Sequence, residues 1–243
     1  MTIRLKYRIT ALFLFVSLLA LCQERIQSYK MWSPFRPASE GKLFIRVENT
    51  NFFDNYEYKS PNATGYTLIG AWGRIFGEYY FTNTLRIQVG VNGLKYTGRK
   101  SFSEVSEWFS IVYKPFDQFR LIVGNLDYYS TIPLTEPIFS PAIFLTKHNN
   151  RGLQMDFTNR YINLSSWLDW EQFIVPGDNV QEIFSVGLCG TAQITDTTQS
   201  INFSIPFTIL GRHQGGEINT NVPEIETLMN YSIASQLGFN IAD

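Results

Sequence analysis

The sequence predicts an all-β chain, an antiparallel transmembrane β-barrel of roughly ten strands, and three observations carry that prediction. Apolar side chains recur at every second position over long stretches. No helix-length 3.6-residue pattern appears after the N-terminal leader. Aromatic residues reach 16% of the chain while charged residues fall to 17%, against about 25% charged in ordinary soluble domains. Successive strand side chains point to opposite faces, so the alternation gives each segment one apolar and one polar face.

The chain has 243 residues, enough for one sizeable core or one membrane barrel. Its 20 basic and 21 acidic residues give a net charge of -1, which supplies no electrostatic reason to expect nucleic acid as a partner.

In chain order, Arg4, Lys6 and Arg8 form a basic leader before the apolar run Ala11–Leu21. That run is too short to span a bilayer as a helix, which needs about 20 residues, and it has the flanks of a secretory signal. Residues 1–22 are therefore expected to be a signal peptide, cleaved after Cys22 to leave Gln23 first. The rival is a lipoprotein acylated on Cys22, against which bulky Leu21 argues. Of the two cysteines, Cys22 and Cys189, only Cys189 would remain after cleavage, so no internal disulfide is expected.

Residues 23–41, with Pro34 and Pro37, predict an irregular lead-in, and residues 42–243 the barrel domain. Strands are expected over 43–54, 66–80, 105–115, 118–128, 162–174 and 181–194. The clearest alternation runs through Leu85, Ile87, Val89 and Val91; Leu153, Met155 and Phe157; Ile201 to Ile209; and Tyr231 to Phe239. Pro206 removes one ladder donor, predicting a bulge or a rim position. Lys114–Gln118, Pro176–Asn179 and Thr195–Thr198 predict short turns, while 129–150 and 211–226 are longer connections. Short turns alternating with long loops match outer-membrane barrels.

A soluble β-sandwich that binds glycans through exposed aromatics would also alternate, but its polar faces would meet bulk water. Here those faces carry Gly, Ser, Asn, Gln and Thr with few Lys or Glu. Aromatics at Tyr79–Phe81, Trp108–Phe109, Tyr128–Tyr129, Trp167 and Trp170 suit interfacial girdles, or else large core aromatics.

Several segments resemble uncharacterised porin-like outer-membrane proteins of Bacteroidetes-type bacteria. They are Phe52–Tyr58, Leu85–Gly98, Gly124–Leu126 followed by Leu134–Ile138, Trp167–Phe173 and Arg212–Gly216. The resemblance implies a porin-like outer-membrane barrel of a Gram-negative cell, passing solutes passively or serving structurally, without catalysis. It departs from the family where a His is usual after Gly-Asn-Leu and this chain has Thr131-Ile132-Pro133. Family members are also longer, so the chain is expected to be a C-terminally truncated portion, the alternative being a smaller closed barrel. Implied partners are outer-membrane lipid, the barrel-insertion machinery and small solutes.

Arg86, Gln88, Asn92, Arg120, Asp169 and Glu171 are expected to line the lumen and set its solute preference. Glu136 is the loop candidate: the resemblance implies a loop able to fold over or into the barrel, and the alternative is an acid that anchors its own turn. Asp169 and Glu171, two apart on one strand face beside Trp167 and Trp170, would be the carboxylates of a membrane enzyme. Their ordinary role is as lumen acids, so no catalytic residue is assigned. His148 and His213 have no ligand-spaced partner, and neither a metal nor a cofactor is expected.

Overall fold

The computed structural model describes residues 34–36, 38–60, 63–127, 150–216 and 225–240. They form one antiparallel sheet of eleven strands. The strands are β1 (Leu43–Ser60), β2 (Ala63–Tyr80), β3 (Leu85–Tyr96), β4 (Glu104–Phe116), β5 (Phe119–Asn125), β6 (Arg151–Thr158), β7 (Ile162–Gln172), β8 (Glu182–Gln193), β9 (Ile201–Gly215), β10 (Glu226–Ile233) and β11 (Gln236–Phe239). Strand order follows chain order from β1 to β10, with β11 also paired to β9. The sheet is a meander and not two packed layers. Among the described residues β1 and β10 do not pair, so the sheet is not closed.

Short turns join the strands at one end of the sheet, at 81–84, 117–118, 159–161 and 194–200. Local polar chemistry builds them. Thr82 Oγ1 accepts the N–H groups of Thr84 and Leu85, and Asn159 Oδ1 accepts those of Tyr161 and Ile162. Such side-chain bonds satisfy backbone donors that the ladder leaves open. The opposite end carries the longer connections 97–103, 126–150, 173–181 and 216–225.

The two faces have inverted polarity for a protein in water. Glu78, Arg86 and Gln154 are fully buried, while Val47, Val89 and Ile45 are 59–74% exposed. Buried polar residues on β2 and β3 alternate with exposed apolar ones, as in Gln88–Val89 and Arg74–Ile75. An apolar face left uncovered forfeits about 25 cal/mol for each Å² that burial would remove from water. So large a continuous patch marks a surface made for an apolar partner or solvent.

Several aromatics turn inward. Tyr80, Trp108 and Trp167 are buried on the polar face, which corrects the girdle expected of them. Tyr79, Phe81 and Trp170 do sit on the exposed face. Trp167 lies flat because its partner on β8 is Gly187, where a Cβ would come within 2.0 Å of Trp167 Cζ2. Arg74 stacks 3.9 Å over the Trp108 ring, so guanidinium and indole share one packed layer.

Pro206 lies inside β9, opposite the break between β10 and β11. Phe207 pairs with Ile233 and Ser204 with Gln236, while the Pro206 carbonyl accepts the Ala234 N–H at 2.9 Å. The missing proline donor and the interrupted partner strand coincide, the irregularity expected of a strand proline. The first hairpin runs further than expected, since β1 and β2 pair as far as Ser60 and Ala63.

Candidate functional site

Two charge clusters fill the buried polar face. In the first, Glu78 stands 3.5 Å from Arg46 and 3.3 Å from Arg86. Gln88 Nε2 donates to the same carboxylate at 2.8 Å and the Tyr80 hydroxyl at 3.1 Å. Beside it Arg74 Nε donates to Glu48 at 3.0 Å. In the second, Arg120 pairs with Asp127 at 2.8 Å and Asp156 at 2.6 Å. Gln154 Nε2 and the Ser165 hydroxyl donate to Asp156, while Gln154 Oε1 accepts the Asp127 N–H at 2.8 Å. Asp127 follows β5 yet reaches back to Arg120 in the body of that strand, so the chain leaves β5 on its polar side.

All six residues expected to line a lumen sit on this one face. Arg86, Gln88, Asn92 and Asp169 are buried, and Arg120 and Glu171 are half-buried. They are engaged in packing. Asn92 Oδ1 accepts the Ser106 hydroxyl, Asp169 Oδ1 accepts the Arg151 N–H at 3.1 Å, and Glu171 accepts Ser185 at 2.9 Å with Arg212 3.7 Å away. Glu136 and His148 lie outside the described residues. Among the described residues, no three His, Cys, Asp or Glu side chains come together as a metal site.

The exposed face carries a different constellation near the long-loop end. Strand register sets Trp170 opposite Phe184, Phe184 opposite His213 and His213 opposite Thr227. The rings form a ladder, with centroids 5.6 Å apart from Trp170 to Phe184 and 4.9 Å from Phe184 to His213. His213 Nδ1 lies 2.9 Å from Thr227 Oγ1. Next toward the short-turn end come Val186, Ile209 and Met229, all exposed apolar side chains. This couple is invisible in the linear chain, because residues 213 and 227 meet only through the β9–β10 register. The signal available was a His in a strand flanked by apolar alternation, with a hydroxyl residue on the following strand.

An imidazole nitrogen within hydrogen-bond reach of an aliphatic hydroxyl is the minimum equipment for nucleophilic acyl transfer. The fold and this surface define a class: an all-β sheet protein with a packed polar face, an exposed apolar face and a base–hydroxyl couple at the apolar margin. The family profile of the lipid A 3'-O-deacylase type matches residues 35–242, and the chain belongs to that family. No curated protein and no solved structure matches it. The family is one of enzymes, so the expectation of a porin-like protein without catalysis is corrected. The membrane-enzyme alternative fits better.

Proposed function

We propose that the protein is an outer-membrane β-barrel hydrolase that removes an ester-linked acyl chain from lipid A. Family membership over residues 35–242 supports the substrate. The exposed apolar face supports the barrel, since closure would turn that face to lipid and bury the backbone edges of β1 and β10. Residues 1–22 then act as the export signal, 23–41 as the lead-in, and Arg86, Gln88, Asn92, Arg120, Asp169 and Glu171 as a charge-paired filling of the interior. Assembly in the outer membrane would use the barrel-insertion machinery.

One observation carries the hydrolase reading: the 2.9 Å contact of His213 Nδ1 with Thr227 Oγ1 at the edge of the apolar face. The ester groups of a membrane lipid lie where hydrocarbon gives way to headgroup, the level at which aromatic rings collect. Thr227 Oγ attacks the acyl carbonyl carbon while His213 takes its proton. The sugar oxygen leaves as the C–O bond breaks and receives that proton from His213. Water, deprotonated by His213, then attacks the acyl-threonine carbonyl, the acyl C–Oγ bond breaks, and His213 returns the proton to Thr227 Oγ as the fatty acid leaves. Trp170 and Phe184 offer the chain a flat apolar wall.

The test is mass spectrometry of lipid A from a Gram-negative host expressing the full chain. The expected outcome is loss of one ester-linked acyl chain, abolished in His213→Ala and Thr227→Val. An unchanged acyl pattern with the protein folded in the outer membrane would refute the hydrolase. Deacylation that survives both substitutions would refute the couple.

A further inference from the structure

At the long-loop end, away from β9 and β10, the strands β2 and β3 and the turn after β3 border an open groove of about 490 Å³ lined by Thr67, Leu68, Ile69, Tyr96, Thr97 and Arg99. That volume is within the range of small-molecule sites, about 300–1,000 Å³. Its walls are firmly placed. Tyr96 opposes Gly70 and meets Phe52 edge-on at 6.1 Å. Any Cβ at Gly70 would come within 2.9 Å of the Phe52 ring. Thr67 Oγ1 donates to Asn55 at 2.6 Å, and above it Tyr56 and Tyr66 stack at 5.4 Å.

The two basic side chains nearest the groove differ in state. Lys95 Nζ donates to the carbonyls of Arg99 and Ser101, at 2.5 and 3.0 Å, and so pins the turn 97–103. Arg99 lies in that turn, exposed, and among the described residues its guanidinium has no carboxylate partner. Lys100 follows it, also exposed. An exposed guanidinium with no carboxylate partner among the described residues, beside a groove of hydroxyls and a phenol, is suited to an anion on a sugar. Arg binds phosphate through two parallel N–H bonds, while hydroxyls and aromatic faces suit a pyranose.

We propose that this groove is a headgroup site for a phosphorylated sugar of an outer-leaflet glycolipid. Arg99 holds the phosphate, and Thr67, Thr97 and Tyr96 meet the sugar hydroxyls. The proposal rests on the lipid A reading for the class of lipid and places a second contact with such a lipid on β2–β3.

The test is binding of full-length protein in nanodiscs, followed by native mass spectrometry. The probes are bisphosphorylated lipid A, the same lipid after enzymatic dephosphorylation, and inorganic phosphate. Arg99→Gln should weaken binding of the phosphorylated lipid by about tenfold or more. Dephosphorylation should weaken wild type equally and the variant hardly at all. Equal binding of phosphorylated and dephosphorylated lipid by wild type would overturn the site. So would a variant that binds like wild type with an unaltered unfolding midpoint, or inorganic phosphate bound as tightly as the glycolipid. The two readings fail separately: Arg99-dependent binding with an intact acyl pattern removes only the hydrolase, and Arg99-independent binding with deacylation removes only this site.

Discussion

Replacing Glu78 with Gln tests whether the polar face is a charge-balanced core. The substitution keeps volume and hydrogen-bonding capacity, and Gln88 can still donate to the new amide. What it removes is the negative charge facing Arg46 at 3.5 Å and Arg86 at 3.3 Å. At an effective dielectric constant of 20, each contact is worth about 5 kcal/mol of direct attraction. Much of that is offset by the desolvation of all three groups. Arg46 retains 20% side-chain exposure and can recover water, but Arg86 is fully buried. Removing one partner of a buried pair costs about 3–5 kcal/mol, and that is the loss expected here. The control is Glu107→Gln, which breaks the Glu107–Arg151 pair on the exposed side, where the side chains are 70% and 40% exposed. Its expected loss is under about 1 kcal/mol. Urea unfolding from lipid vesicles, followed by tryptophan fluorescence, measures both. If Glu78→Gln is no more destabilising than Glu107→Gln, the charge-core argument is wrong.

Two further outcomes check other parts of the molecule. Val89→Arg, at a 59% exposed position, should cost about 2–4 kcal/mol if that face meets hydrocarbon, whereas a water-facing site would tolerate it; near-neutral unfolding energetics in vesicles would count against the membrane-facing assignment. In the 194–200 turn, the Asp196 carboxyl is held below the usual carboxylate range, first by the Thr198 N–H, then by the Thr198 hydroxyl, and also by Arg160. A depressed carboxylate stabilises the turn above its ordinary range and loses that effect as pH falls through the folded value. Thr198→Val should therefore raise the Asp196 titration midpoint seen by NMR, and an unmoved midpoint would exclude the hydroxyl as a cause.

Most of the fold was legible because period-two alternation is a direct image of the pleat. Leu85 to Val91 and Ile201 to Ile209 became β3 and β9 with the expected faces. Pro206 announced its irregularity through chemistry local to one residue. Less could be read where the meaning depends on register. Arg86 and Arg120 stood out as polar-face cations, but their partners Glu78, Asp127 and Asp156 come from neighbouring strands or from beyond the end of β5. Trp108 and Trp167 looked like girdle residues because a large ring serves lipid and core equally well. Only the facing strand, with Gly90 opposite Trp108 and Gly187 opposite Trp167, reveals room for them inside. The His213–Thr227 couple failed to show for the same reason, since a hydrogen bond across a ladder leaves no spacing rule in the chain.

The clusters on the polar face also bear on how such a sheet could be assembled. Arg46, Glu48, Arg74, Glu78 and Arg86 all belong to β1–β3, and the ion pairs Arg46–Glu78, Arg74–Glu48 and Arg86–Glu78 each join adjacent strands, while Arg74 also feels the Asp127 carboxylate from beyond the end of β5. The Arg120 cluster closes in the same way between β5, β6 and the residues just after β5. The carboxylates and guanidiniums of these two clusters therefore find a counterion within one hairpin of their own strand. In those two clusters a charge meets its first counterion on the next strand, which spares it the cost of standing alone in a low-dielectric environment, whereas Glu171 and Glu107 wait for Arg212 and Arg151 two strands on.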